Sequence, residues 1–190
     1  MNHSRGRFKA RILDATAIHR ALNRIAHEIV ERNPNVGDIV LIGIHTRGVP
    51  LAQRLAAIIR GIEGSQVEVG TINISLYRED LSTVADHPII TKPSLPFSID
   101  HKTLILVDDV LYTGKTVLAA LEEIKRIGTP RSIQLAVLID RGHREVPIHA
   151  DYIGKNVPTA LNEIVHILLK ETDHDEQVII TERAHETPVS

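Results

Sequence analysis

Residues Leu104 to Thr116 read LILVDDVLYTGKT. A short apolar run ends in two adjacent carboxylates, Asp108 and Asp109, and Thr113-Gly114-Lys115-Thr116 then opens a helix. Open α/β sheets bind ligands at the carboxyl ends of their strands, so this turn stands where a site is expected. Backbone N–H groups of residues 112 to 116, with the helix dipole behind them, would cradle a phosphate. The hydroxyls of Thr113 and Thr116 would add two donors, and Gly114 would let the backbone approach closely. Tyr112 belongs to the same turn. The upstream carboxylates would then face whatever is attached to that phosphate. Ribose hydroxyls and Mg²⁺ suit them, since a carboxylate accepts from one and ligates the other. Gly-Lys-Thr also ends a Walker A loop, but that loop needs glycine five positions before Gly114, where Asp109 stands, so a P-loop is excluded. Taken alone, the stretch has a less favoured alternative reading as a capped turn leading into a helix.

The flanking sequence gives this turn its frame. Asp14 is placed to cap a helix whose apolar stripe is Ile18, Leu22, Ile25 and Ile29, ending at Asn33-Pro34. Asp38 to Ile44 is a short apolar run, as in a strand covered on both faces. Pro50 suits a first helical turn, and the helix that follows ends near Gly61 or Gly64. Residues 66 to 77 alternate with a change of phase near Gly70, which predicts a long strand with a bulge or bend. Residues 78 to 101 are polar, carry Pro88, Pro93 and Pro96, and read as a functional loop. A strand over 103–107, a helix over 115–128 and a strand over 132–139 complete the pattern. Strands alternating with helices predict an α/β, doubly wound, mainly parallel sheet.

Composition narrows the classes further. The chain has 190 residues, room for one domain, and a 43% hydrophobic fraction that excludes wholesale disorder. With no cysteine it has no disulfide scaffold, no thiolate metal site and no cysteine nucleophile. Three Tyr, two Phe and no Trp are too few for a platform on which bases stack. No apolar stretch approaches a membrane span and no signal-peptide run is present, so a cytoplasmic protein without a membrane partner is expected. The 11 histidines show no metal-ligand spacing, and His166 in EIVHILLK reads as a packed strand residue. Residues 1 to 60 hold 10 Lys/Arg against 4 Asp/Glu, and residues 161 to 190 hold 2 against 7. That asymmetry points weakly to an anionic partner for the first third.

LILVDDVLYTGKT resembles the phosphoribosyl-pyrophosphate (PRPP) signature of type I phosphoribosyltransferases. The stretches GIHTRGVPLAQRLA, TINISLYREDLS, SIQLAVLIDRGHREVPI and ADYIGKNVPT resemble those of the PyrR family, uracil phosphoribosyltransferases that also attenuate the pyrimidine operon. The similarity runs from about residue 11 to 170. It implies a single domain over 1–190 with a flexible lid at about 78–100 and a small hood at about 140–160. It implies that Asp108 and Asp109 hold the ribose hydroxyls of PRPP, that residues 112 to 116 surround its 5-phosphate, and that Thr46-Arg47-Gly48 grips the pyrophosphate. Arg47 suits that last role because a guanidinium meets phosphate oxygens bidentately. Arg78 of the lid would reach the pyrophosphate, and Arg141 of the hood would contact uracil. Catalysis would then rest on Asp108, Asp109 and Arg47, with Mg²⁺ carried on PRPP near the two carboxylates.

The same resemblance implies UMP-responsive binding of pyrimidine operon mRNA and self-association into a dimer or larger homo-oligomer. Arg20, Asn23, Arg24 and His27 share the polar face of the first helix, opposite its Ile/Leu stripe. His143, Arg144, Lys155 and Thr159 match further RNA-facing positions. A basic face poor in aromatics suits a structured RNA hairpin better than a stacked single strand. The chain departs from the family pattern at His45 (usually Lys), Lys115 (Arg), Asn23 (Thr) and His149 (Arg). The alternatives are a type I enzyme acting on a purine base and a nucleotide-sensing RNA-binding regulator without turnover.

Overall fold

The structure, a computed structural model, describes residues 6–74 and 94–183. Arg78 and most of the expected lid lie outside them.

Five strands build a parallel sheet: β2 (Ile39–Ile44), β3 (Glu68–Ile72), β4 (Thr103–Leu111), β5 (Ser132–Asp140) and β6 (Tyr152–Asn156), in the spatial order β3-β2-β4-β5-β6. Side chains alternate across its faces. Ile39, Leu41, Ile105, Val107, Ala136 and Leu138 point to one side, where α1 (Ala15–Arg32) and α2 (Gly48–Glu63) cover them. Val40, Ile42, Leu104, Leu106, Leu135 and Val137 point to the other, under α3 (Lys115–Ile127). The expected doubly wound architecture is the observed one. Because both faces are covered, the central strands read as continuous apolar runs rather than alternating ones.

The helices follow their sequence signals. The Asp14 carboxylate accepts from Ala17 N at 2.8 Å and caps α1, whose stripe of Ile18, Leu22, Ile25 and Ile29 is fully buried. Burial of each such side chain contributes roughly 1.5–3 kcal/mol. Pro50 lies in the first turn of α2, and Gly64 closes that helix in the left-handed conformation at φ 70°.

Two expectations about strands are corrected. β4 does not stop at Val107 but runs on to Leu111, so Asp108 and Asp109 lie within the strand. Gly70 makes no bulge: β3 pairs with β2 in unbroken register, Gly70 opposite Ile42. Any Cβ at Gly70 would collide with the Leu95 side chain, so the glycine makes room for the segment after residue 93, where Ser94 bridges Thr71.

A second sheet was not read from the sequence. β1 (Arg7–Asp14), β8 (Gln177–Glu182) and β7 (Glu163–Leu168) form an antiparallel sheet in the order β1-β8-β7, which joins the two ends of the chain. His166 sits in β7 as expected, its Nε2 2.8 Å from Thr181 Oγ1. Among the described residues, no helix is long and apolar enough to cross a membrane.

Candidate active site at the sheet switch point

From β2 the chain moves outward to β3, and from β4 it moves the other way through β5 to β6. Diverging connections open a crevice between β2 and β4, at their carboxyl ends. The loop after β2 carries Thr46, Arg47 and Gly48, and the end of β4 carries Asp108, Asp109 and Tyr112. Candidate residues more than sixty positions apart in sequence thus meet at one edge.

Gly48 is what lets them meet. Its Cα faces the β4 backbone so closely that a Cβ would overlap the carbonyl oxygen of Val107 and stand 3.3 Å from Asp108 Cα. The peptide between His45 and Thr46 is cis. Asp108 and Asp109 are nearly inaccessible, at 2% and 4% exposure. Each turns one carboxylate oxygen onto the next backbone N–H, Asp108 onto Asp109 N and Asp109 onto Val110 N, both at 2.9 Å. These bonds fix the orientation of both groups.

Beyond β4, Tyr112 to Gly114 form the turn that opens α3. Gly114 adopts φ 91° and no side chain caps the helix behind it. The Thr113 hydroxyl accepts from Lys115 N at 3.4 Å, and Lys115 Nζ pairs with Glu145 at 2.6 Å. Thr116 is half-buried in the first turn. The helix N-terminus therefore presents N–H groups and positive dipole to the crevice, as an anion requires.

The segment after β5 folds over this turn. Arg141 N donates to Leu111 O, Glu145 N donates to Thr113 O at 2.9 Å, and the Val146 side chain fills the space a Cβ on Gly114 would need. Arg144 holds the two layers together. It donates to Ile148 O at 3.0 Å, to Tyr112 O at 2.8 Å and to Gly142 O at 3.1 Å, and it pairs with the Asp140 carboxylate. The guanidinium is turned inward, with its donors on the hood, the Tyr112 turn and Asp140.

Arg141 is likewise buried. Its guanidinium carbon lies 3.9 Å from the centroid of the Tyr112 ring, and it donates to Thr159 Oγ1 at 3.0 Å and to Glu163 O at 2.8 Å. Burial lowers its pKa, against the opposing effect of Tyr112. Arg141 therefore backs Tyr112 and ties the hood to β7. Lys9 first, then Ala160 N, hold the Glu163 carboxyl below the usual carboxylate range.

The Arg47 guanidinium is also engaged. It forks onto Asp173, at the end of the short helix α4 (Lys170–Asp173), with Nε 3.0 Å and Nη2 2.6 Å from the two carboxylate oxygens. Burial alone would raise the pKa of Asp173, but Arg47, Thr172 and Leu169 N together hold it at about 2. Stability from this group is therefore present through the neutral range and is lost only as pH falls towards about 2. Burial lowers the pKa of His166, and Arg47 nearby adds to the effect. No local sequence pattern announces a partner 126 positions away; the only trace was the acidic tail.

The tail is in part the anionic partner that the basic first third suggested. Lys9 pairs with Glu163 and Glu182, Arg47 with Asp173, and Arg54 with Glu171 and Glu176.

The other residues expected to face RNA are divided. Arg20, Arg24 and His27 are exposed on α1, and Asn23 donates to His19 O at 2.8 Å. Arg24 also reaches Ile153 O at 2.9 Å and Gly154 O at 2.6 Å, which joins that face to β6 and the exposed Lys155. His143 Nε2 lies 2.6 Å from Thr159 O, and the Thr159 hydroxyl is taken by Arg141.

For a metal, the fitting donors are Asp108 and Asp109, hard oxygen ligands at the crevice. Among the described residues no group of three or more His, Asp or Glu could hold a metal ion. That donor set suits Mg²⁺ that arrives on substrate phosphates, which needs one or two carboxylates and no all-protein cage.

Comparison with known proteins agrees with this geometry. Residues 9–170 match the model of the phosphoribosyl transferase domain. The chain is 57% identical over 178 residues to the bifunctional protein PyrR of Pelotomaculum thermopropionicum, covering 94% of this chain and 98% of that one. It is also 57% identical to the protein of that name from Deinococcus deserti, over 87% of this chain and 90% of the other. Among solved structures, the hypoxanthine phosphoribosyltransferase of Trypanosoma cruzi superposes with a TM-score of 0.72 at 20% identity, covering 92% of this chain and 96% of that one. The Staphylococcus aureus enzyme of the same name gives 0.69 at 17%, covering 96% and 95%. At such low identity these structures show the fold alone. The chain belongs to the phosphoribosyl transferase domain family and, within it, to the bifunctional PyrR proteins.

Proposed function

We propose that this protein transfers the phosphoribosyl group of PRPP to uracil, giving UMP and pyrophosphate, and that it also binds pyrimidine operon mRNA in response to UMP. The observation that carries the first part is the meeting of Gly48, Asp108, Asp109 and the α3 N-terminus at the switch point. Residues 112 to 116 take the 5-phosphate on backbone N–H groups and threonine hydroxyls. Asp108 and Asp109 accept from the ribose hydroxyls and stabilise positive charge on the sugar. Uracil N1 bonds to ribose C1 as the bond from C1 to the pyrophosphate oxygen breaks; pyrophosphate leaves with the electron pair, and the N1 proton passes to water. Mg²⁺, when bound with PRPP, neutralises charge on the leaving pyrophosphate. The loop 46–48 lies at the N-terminus of α2, whose dipole favours an anion there. Tyr112, held by Arg141, supplies an apolar wall beside the hood for the base.

Measuring pyrophosphate release from PRPP with uracil, hypoxanthine and orotate tests this reading. Release with uracil alone is expected. Release with hypoxanthine instead would favour the purine alternative. No release with any base, beside UMP-dependent RNA binding, would favour the regulator without turnover.

The α1 face supports the RNA reading, since Arg20, His27 and Lys155 are exposed along one side of the fold. Arg20→Ala is expected to weaken binding of a pyrimidine leader hairpin and to make its affinity less steeply dependent on salt, as follows when one phosphate contact is lost. Arg20 is a cleaner probe than Arg24, whose guanidinium also closes the β6 edge. Unchanged affinity and salt slope in Arg20→Ala would remove this face from the proposal.

A further inference from the structure

We infer that Asp173 is a positioning residue for phosphoribosyl transfer, which sets Arg47 and with it the pyrophosphate loop from a segment outside the crevice. This rests on the function proposed above. Asp173 is itself immobilised: one of its oxygens accepts from Leu169 N at 3.0 Å and from Thr172 Oγ1 at 2.6 Å, so the carboxylate is fixed before Arg47 reaches it. Arg47 answers with Nε and Nη2, the bidentate pairing in which a guanidinium loses most of its rotational freedom.

The geometry gives Arg47 a different part from a free anion-gripping side chain. Two of its donors face Asp173, and only the remaining edge of the guanidinium is directed elsewhere. Arg47 is also the residue from which α2 starts, with Gly48 against the β4 backbone immediately after it. Fixing this side chain therefore fixes the peptide groups of residues 46 to 48, which stand where the leaving pyrophosphate is expected. The segment bearing Asp173 is anchored separately, through Glu171 and Glu176 on Arg54 of α2. That second attachment allows the loop-directed contact to be tested apart from docking of the segment.

The experiment compares Asp173→Asn, Asp173→Glu and Glu171→Gln with the unaltered protein. In Asp173→Asn, KM for PRPP is expected to rise about tenfold, the scale of one lost charge-assisted hydrogen bond in a partly buried site, with a smaller fall in kcat. UMP affinity, measured directly, is expected to change less than twofold, because UMP carries no pyrophosphate. Asp173→Glu should recover part of the PRPP affinity. Glu171→Gln, which loosens the same segment but leaves Arg47 paired, should leave KM for PRPP unchanged.

In a double-mutant cycle, Arg47→Ala and Asp173→Ala together should raise KM little more than Arg47→Ala alone. An unchanged KM in Asp173→Asn would overturn the inference. So would a lower KM, which would make Asp173 a competitor for Arg47 rather than its support. An equal rise in Asp173→Asn and Glu171→Gln would assign the effect to docking of the tail and overturn it as well. If the unaltered protein neither binds PRPP nor releases pyrophosphate, it is the proposed function that fails.

Discussion

Asp109→Asn is expected to lower uracil-dependent pyrophosphate release by about two orders of magnitude, the usual scale for loss of one buried electrostatic stabiliser of a transition state. The substitution is close to isosteric. Its amide oxygen can still accept from Val110 N, the bond that Asp109 Oδ1 makes at 2.9 Å, so the backbone at the end of β4 keeps its shape. What disappears is a negative charge in a residue only 4% exposed, where surrounding dipoles rather than water set its strength. Positive charge that develops on the sugar then loses one of its two fixed counter-charges, with Asp108 alone remaining. A near-normal rate in a variant whose thermal midpoint is unchanged would exclude Asp109 from the reaction. A lower rate accompanied by early unfolding would show only that the strand end had been disturbed, so both quantities must be measured on one preparation.

Gly48→Ala is the second substitution with a large expected effect, and its cause is steric. The added methyl would press on the carbonyl oxygen of Val107, a backbone atom in the central strand of the sheet, which cannot rotate aside. The loop must move away from β4 instead, at a cost of about 1–3 kcal/mol, as for other overpacked sites. PRPP affinity should fall more than tenfold, because the pyrophosphate loop and the two carboxylates no longer share one crevice. Gly61→Ala makes the contrast. A Cβ at that position in α2 would meet no atom outside the helix's own neighbouring backbone within 4 Å, so it is expected to stabilise the helix by about 0.5–1 kcal/mol and to leave PRPP binding alone. Equal behaviour of the two variants in thermal unfolding and PRPP titration would remove the packing explanation.

The sequence was legible where one local rule decided the structure. The strand stretches over 39–44 and 135–139 are covered on both faces and read as unbroken apolar runs, and α1 has its cap and stripe within nineteen residues of chain. The position of the carboxylate pair at the end of β4 and of the glycine-led start of α3 was legible because an apolar run, two acids and a glycine before a helical stripe follow one another in the chain. β1 was not, because most of its residues are exposed and its pairing with β8 shifts register twice, so no clean alternation marks it. Gly70 was misread because a break in alternation looks the same whether it makes a bulge or admits a neighbouring segment. The resemblance places Arg144 among RNA-facing positions, and no local pattern marks the contacts of its side chain. Its inward turn depends on four backbone carbonyls that come together only in the folded chain. The place of Arg47 in the loop after β2 was legible, but its partner Asp173 was not.

The antiparallel sheet joins Arg7 to Glu182, so it can form only after the chain has been made through residue 182. During synthesis the loop at residues 46–48 leaves the ribosome early, while Asp173 follows more than a hundred residues later. A nascent chain can therefore pair β2 with β4 and shape the crevice well before Arg47 meets its carboxylate. On the function proposed above, the loop at residues 46–48 would gain the support of Asp173 only once the chain has been made past that residue.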